Sequence, residues 1–156
     1  MNYDAAVIGA GPGGLRCAEV LARRGVRVVV LERRSAPGRK VCAGGITWNG
    51  LIGKIPDSLL EASFVCQTIT TGKRRVTLHE PHPLIATVNR ERLGHYQAEE
   101  AAAVGAVLRF DARVIKAVDR QVVYRWRGKE RSLCCDYLIG ADGSHSLIRS
   151  SLGLAT

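Results

Sequence analysis

Apolar residues along this chain fall in short runs separated by glycine and by clusters of charge. Tyr3 to Ile8 is short and largely apolar, with glycines directly after it, the pattern of a buried strand. Pro12 to Arg24 reads as a helix, with Leu15, Ala18, Val20, Leu21 and Ala22 on its packed side and Gly25 placed to end it. Val26 to Leu31 is nearly all β-branched and reads as a second strand. Strand, helix and strand within about thirty residues make a βαβ unit, which predicts parallel strands and a right-handed crossover.

Beyond this unit the periodicity changes. Arg33 to Gly45 is a loop rich in Gly, Lys and Arg, and Thr47 reads as the N-cap of a short helix over Trp48 to Gly53. Phe64 to Thr70 and Arg75 to Leu78 predict a hairpin about Thr71-Gly72, and Ala86 to Val88 a short strand. Asn89 caps a predicted helix over Arg90 to Val104, and Ala106 to Phe110 reads as a third parallel-type strand. Val114 to Val118, Val122 to Trp126 and Arg131 to Cys135 form a meander, with Arg127-Gly128-Lys129 as a turn. Asp136 to Gly140 reads as a further buried strand, and Ser144 to Ser151 as a final helical turn or two. There is no internal repeat and no low-complexity segment.

The 156 residues suit one domain with a real core, and the 46% apolar share is ordinary for a soluble protein. A strand begins almost at Met1, and no apolar run approaches the roughly 20 residues of a membrane helix, so the expectation is a cytoplasmic protein without a leader or transmembrane segment. The five cysteines (Cys17, Cys42, Cys66, Cys134 and Cys135) are odd in number and lack zinc-site spacing, which argues against a disulfide framework or a metal centre. His79 and His82 read as members of a solvated loop. The net charge of +9 invites a nucleic-acid reading, but the basic residues sit at predicted helix ends and turns without interleaved aromatics. Some of that charge suits an anionic cofactor instead.

The turn after the first strand carries the chemistry. Gly9, Gly11 and Gly14 fill G-x-G-x-x-G within Gly-Ala-Gly-Pro-Gly-Gly, with Pro12 and Gly13 inside the pattern. Gly9 permits the tight turn, Gly11 lets a pyrophosphate approach the backbone, and Gly14 lets helix and strand pack closely. The helix start offers unpaired N–H groups and the positive end of its dipole to phosphates. Glu32, eighteen residues after Gly14 at the end of the second strand, is placed to accept from ribose hydroxyls. A carboxylate there repels a 2′-phosphate, which disfavours NADP and leaves NAD and the ADP half of FAD. Arg33 and Arg34 either stack on adenine or are solvated.

A second signature discriminates between these. Gly140, Ala141, Asp142, Gly143, Ser146 and Arg149 fill G-A-D-G-x-x-S-x-x-R after an apolar strand. This resembles the motif of FAD enzymes of the aromatic-hydroxylase and geranylgeranyl-reductase superfamily, where the stretch passes close to the flavin's pyrophosphate. Asp142 holds either the turn or a ligand hydroxyl, and Arg149 either an ion pair or the cofactor. The segment from Gly38 to Leu51 is similar to the family's Cys-Gly-Gly loop beside the flavin ring, with Ala43 where a Gly is common. By that resemblance Lys40, Cys42, Gly44 and Gly45 are cofactor-side residues. Cys42 is the one catalytic candidate, either a redox or proton-donating thiol or a small packed residue. Val88 to Ala106 resembles the family's strand–Arg–helix, which gives Arg90 either a dinucleotide-binding or a helix-capping role. Gly94 stands there where an Asp is frequent, and Gln97 where a Leu is usual. Val114 sits where the family holds adenine through backbone groups.

The resemblance implies an α/β fold: a Rossmann-like FAD-binding domain of the glutathione-reductase-like type, with a parallel sheet, helices on one side and a β-meander on the other. It spans residues 1–156 as one partial FAD/NAD(P)-binding domain, lacking the family's substrate domain and its later Gly-Asp motif. It implies a flavoprotein oxidoreductase passing hydride from reduced flavin to a substrate double bond. NAD(P)H is then the implied electron donor, and an isoprenoid or other hydrophobic small molecule the substrate. A hydroxylase-type monooxygenase and a non-catalytic dinucleotide-binding module are the alternatives. An uncovered sheet edge and apolar surface would favour self-association.

Overall fold

The computed structural model describes residues 2–38, 42, 44–47 and 55–154. They divide into two compact units, one built from 1–39 and 94–156 and the other from 40–93.

The first unit holds a six-stranded sheet in the order β8-β2-β1-β11-β10-β9. Strands β1 (Asn2–Ile8), β2 (Val28–Leu31) and β8 (Val107–Arg109) are parallel, with Ala5 to Ile8 opposite Val28 to Leu31. β2 is buried throughout, as its unbroken apolar run requires of a parallel strand covered on both faces. Helix α1 (Pro12–Arg23) connects β1 to β2 and ends as the sequence predicts: Gly25 takes a φ of 79°, and the Gly25 N–H donates to the Ala22 carbonyl. Its packed side is Leu15, Ala18 and Ala22 together with Glu19, whereas Val20 and Leu21 are only half-buried. Glu19 tolerates burial because Arg16 and Arg23 reach its carboxylate at 2.6 and 3.0 Å.

The meander is β9 (Ala112–Val118), β10 (Gln121–Trp126) and β11 (Lys129–Gly140). The sequence reads two strands between Arg131 and Gly140, but the chain forms one of twelve residues. Its first part pairs antiparallel with β10 and its second part parallel with β1, overlapping at Cys134. The change of partner changes which faces are buried, and this breaks the apolar pattern near Asp136. The Arg120–Asp136 ion pair lies at that point.

Two apolar layers sandwich the parallel strands. On one face Ala5, Val7, Val28 and Val30 pack with Leu15 and Ala18 of α1 and with Ala98 and Ala101 of α2 (Arg90–Ala103). On the other, Ala6, Ile8, Val29 and Leu31 pack with Val114, Val122, Tyr124 and Leu133 of the meander. This is the predicted arrangement of helices on one side and meander on the other. Beside the meander core, the Arg109 guanidinium lies 5.3–5.9 Å from the ring centres of Tyr3, Tyr124 and Trp126, and bonds both tyrosine hydroxyls. Arg127 and Arg131 also face the Trp126 ring, so three of the chain's arginines serve this aromatic cluster.

The second unit contains an antiparallel sheet ordered β3-β7-β4, from β3 (Gly45–Thr47), β4 (Leu60–Phe64) and β7 (Ile85–Val88), plus a separate hairpin of β5 (Cys66–Thr70) and β6 (Arg75–His79). Thr47 closes β3, and the helix expected over Trp48 to Gly53 lies outside the described residues. The predicted strand from Phe64 is interrupted at Val65, so Phe64 belongs to β4 and the hairpin begins at Cys66. Asn89 caps α2 as expected, its Oδ1 accepting from the Glu91 and Arg92 N–H groups at 3.0 and 3.1 Å.

Candidate functional site: a glycine turn at the carboxyl ends of parallel strands

Strands β1, β2 and β11 run parallel and end at Ile8, Leu31 and Gly140, so the segments that follow them emerge at one edge of the sheet. Ligands of open parallel sheets bind at such an edge. There the structure brings together Gly9 to Gly14, Glu32, Arg33 and the Ala141–Gly143 turn, with β9 entering beside them through Ala112.

The three motif glycines divide by task. Gly9 has a φ of 105°, and a Cβ on it would stand 2.4 Å from the Ala141 carbonyl oxygen. A Cβ on Gly14 would stand 2.0 Å from the Gly9 oxygen. Both are held without side chains by the protein's own backbone. Gly11 differs: its φ of −73° suits any residue, and a Cβ there would meet none of the described residues within 4 Å. Gly13 faces the same open space. Gly11 is also the N-cap of α1 and provides no side-chain cap, with Pro12 following it. The start of this 12-residue helix therefore presents backbone donors beside a surface that is open among the described residues.

Glu32 ties this turn to the next strand. Its Oε2 accepts the Ala10 N–H at 2.8 Å, and its Oε1 accepts the Arg34 N–H at 2.9 Å. Its own N–H donates to the Arg109 carbonyl, and its carbonyl accepts from Ala112. A carboxylate has about four acceptor positions, so lone pairs remain for a ligand hydroxyl after these two bonds. The Ala10 contact makes Glu32 a support of the glycine turn, which the motif spacing alone does not reveal.

Asp142 holds its own turn. Its Oδ1 accepts from Ser146 Oγ at 2.5 Å, and its Oδ2 from the Leu147 and Ile148 N–H groups at 2.7 and 3.3 Å. Ser146 in turn accepts from the Arg149 N–H, capping α3 (Leu147–Ser151). Arg149 donates to the Ser144 carbonyl at 2.9 Å and so closes the same loop. Gly143 takes a φ of 89° with no atom within 4 Å of its missing Cβ, so backbone conformation calls for glycine there. Arg33 is exposed, and the Val114 side chain is buried in the meander core. Val114 lies opposite Tyr124 on β9, an edge strand of this sheet with a register shift directly after it.

The remaining candidates belong to the second unit. Cys42 is an exposed free thiol, and Lys40 lies outside the described residues. Gly44 has a φ of 76°, and its missing Cβ position is taken by the Val88 carbonyl oxygen at 2.5 Å, so the space beside it belongs to β7. Gly45 is looser, with only Ile85 Cγ2 at 3.9 Å among the described residues. Arg90 is half-buried, and its Nε has no hydrogen-bond partner among the described residues. The unusual Gly94 is explained within the first unit: a Cβ there would stand 2.6 Å from Gly38 Cα, so α2 requires glycine to pass that loop. Among the described residues no group of acidic, His or Cys side chains could hold a metal ion, and no helix is long and apolar enough to cross a membrane.

A glycine turn opening a helix at the carboxyl edge of parallel strands, with an acid at the end of the next strand, defines a dinucleotide-binding α/β protein. Residues 2–156 match the FAD binding domain family, and the chain belongs to it. It is 33% identical to the geranylgeranyl diphosphate reductase of Rhodobacter capsulatus over 97% of its own length and 40% of that protein's. A geranylgeranyl bacteriochlorophyll reductase-like protein from Thermoplasma acidophilum shares the fold with a TM-score of 0.80 at 24% identity, over 91% of this chain and 39% of that one. An aklavinone-11 hydroxylase, solved in a ternary complex with FAD and aklavinone, gives a TM-score of 0.70 at 29% identity over 97% and 35% of the respective chains. The chain thus spans well under half the length of these relatives.

Proposed function

We propose that this chain is the FAD-binding part of a flavin-dependent oxidoreductase of the reductase type, acting on a hydrophobic, isoprenoid-like small molecule with NAD(P)H as electron donor. The reductase type rests on the likeness to geranylgeranyl diphosphate reductase, and the observation that carries FAD binding is the contrast at the glycine turn. Gly9 and Gly14 are enclosed by protein, while Gly11 and Gly13 front open space beside an uncapped helix start and the Glu32 carboxylate. These residues fit the ADP half of FAD.

When bound, the flavin supplies the hydride-transfer chemistry, and the protein supplies binding, orientation and electrostatics. Gly9 and Gly14 shape the turn, and Gly11, Pro12 and Gly13 present the helix start to the pyrophosphate. Glu32 accepts from the adenosine ribose, and its negative charge disfavours a 2′-phosphate. Arg33 lies beside that acid, and Val114 is assigned to the adenine by resemblance. Asp142 and Gly143 fix the second turn at the same strand ends. Lys40, Gly44, Gly45 and Arg90 are assigned to the cofactor by sequence resemblance, and Cys42 is the candidate to hold a proton at Sγ for the substrate.

Similarity to the aklavinone-11 hydroxylase supports a second reading, a monooxygenase. Anaerobic reduction of the FAD-loaded chain by NADH or NADPH, followed by reoxidation, separates the two. Reoxidation by an isoprenoid diphosphate without oxygen supports the reductase. Reoxidation by oxygen alone, accelerated by an aromatic substrate, supports the hydroxylase. A loaded chain that NAD(P)H does not reduce is a dinucleotide-binding module rather than a complete enzyme. The same cycle with Cys42→Ala tests the thiol: an unchanged rate removes it from the chemistry.

A further inference from the structure

Glu32 is held from outside the glycine motif, by a corner of backbone that joins the two ends of the sheet. β8 and β9 stand at opposite ends of the strand order, yet only Phe110 and Asp111 separate them in sequence. Glu32, directly after β2, spans that corner. Its N–H donates to the Arg109 carbonyl at 2.9 Å, and its carbonyl accepts from the Ala112 N–H at 2.8 Å. Asp111 turns the corner at a φ of 56°, a left-handed conformation that Asp tolerates, and its N–H donates to the Arg34 carbonyl at 2.9 Å. The Arg34 N–H in turn donates to Glu32 Oε1 at 2.9 Å. The main chain of Glu32 and its carboxylate are thus both tied to the segment 109–112.

That segment is braced by side chains of other strands. The Arg109 guanidinium donates to the hydroxyls of Tyr3 on β1 and Tyr124 on β10. Trp126 on β10 donates its Nε1–H to the Phe110 carbonyl at 3.0 Å, and the Arg109 guanidinium lies 5.3 Å from the centre of the same ring. Tyr124 is fully buried, which anchors the brace in the meander core. The brace ends on Arg109 and Phe110, the residues that lead into the Glu32 corner. An acid that recognises a single hydroxyl must be held within about 0.5 Å of its productive place, and its supporting bonds decide whether it is.

We propose that Arg109 is a positioning residue for ribose recognition, acting on Glu32 through the carbonyl that the Glu32 N–H bonds. The proposal rests on the reading of Glu32 as the acid that accepts from the adenosine ribose. The test is calorimetry of the intact chain with ADP and with 2′-deoxy-ADP, for the wild type, Arg109→Met, Glu32→Ala and the double variant. The readout is the ratio of the two affinities. Partial unfolding lowers both affinities by one factor and leaves the ratio unmoved, so a merely structural Arg109 does not change it. The wild type is expected to prefer ADP about tenfold and Arg109→Met about twofold. Glu32→Ala should show no preference, and adding Arg109→Met to it should change the ratio no further. Trp126→Phe, which keeps a ring beside the guanidinium and removes the bond to the Phe110 carbonyl, should lower the ratio in the same direction. An unchanged ratio in folded Arg109→Met, or in Trp126→Phe where the first variant does not fold, overturns the proposal and leaves Glu32 as assigned. A wild type without preference, or a preference that survives Glu32→Ala, overturns the reading of Glu32 and the proposal with it.

Discussion

The missing Cβ of Gly9 points at the carbonyl oxygen of Ala141, 2.4 Å away, so the first turn of the dinucleotide motif and the turn of the second motif are packed backbone to backbone. The Ala141 N–H donates to the Ile8 carbonyl at 2.8 Å and holds the same junction from the other side. Gly9→Ala must therefore displace main chain and also place a side chain at positive φ. It is expected to destabilise the fold by about 2 kcal/mol or more, measurable by urea unfolding.

Gly11 should behave in the opposite way. Its φ of −73° and the open space above it mean that Gly11→Val lowers stability by no more than about 1 kcal/mol, the cost of replacing glycine at an N-cap, and the variant stays folded. The same change puts a branched side chain where the pyrophosphate would lie, so FAD binding should be abolished. Retained affinity in the folded variant would remove Gly11 from the site.

Glu32→Ala is expected to weaken dinucleotide binding by about 1–3 kcal/mol, the cost of losing hydrogen bonds to a charged group. The contact with Ala10 at 2.8 Å offers a competing origin for such a loss, through a loosened turn. Comparing ADP with 2′-deoxy-ADP by calorimetry distinguishes the two. Direct ribose recognition predicts that the penalty shrinks for the deoxy ligand, whereas a purely structural role predicts equal penalties.

Asp142 accepts from Ser146 Oγ and from the Leu147 and Ile148 N–H groups, which makes it a structural acid. Asp142→Ala should lower stability by about 1–2 kcal/mol, the range for loss of a helix cap. Thermal unfolding reads this directly.

Glu19 predicts a pH dependence. Burial opposes its ionisation, but the guanidinium groups of Arg16 and Arg23 outweigh this and hold its carboxyl below the usual value of 4.5. Its contribution is therefore complete above that value and is lost as the pH falls through the lower folded-state value. Glu19→Gln should cost about 1 kcal/mol near neutrality and progressively less in acid. Urea midpoints of both proteins across that range check the convergence.

The parts of this fold that sequence reveals are those with local causes. Gly25 ends α1 and Asn89 starts α2 because each acts on neighbouring backbone, and the run Val28–Leu31 is apolar because both its faces are covered. The joining of two predicted strands into β11 was hidden because its partner changes from β10 to β1 partway along, and pattern alone does not record the partner. The same holds at the site. Spacing singles out Glu32, but its bond to Ala10 depends on how β1 and β2 lie side by side. The resemblance places Gly44 on the cofactor side, and its close approach to the Val88 carbonyl is a second demand for glycine that depends on how β7 packs. Glu19, on the packed side of α1, has Arg16 and Arg23 three and four residues away, a helical spacing that the sequence does show but that an apolar-only reading of the packed face passes over.

The central claim is that the glycine turn of this chain holds the ADP half of FAD. The most direct test is titration of the purified chain with FAD and with NAD, followed by visible absorption and flavin fluorescence, for the wild type and Gly11→Val. The account predicts tight FAD binding, weak NAD binding, and loss of both in the folded variant. A well-folded wild-type chain that binds neither, or a Gly11→Val variant that binds FAD as well as the wild type, would contradict it.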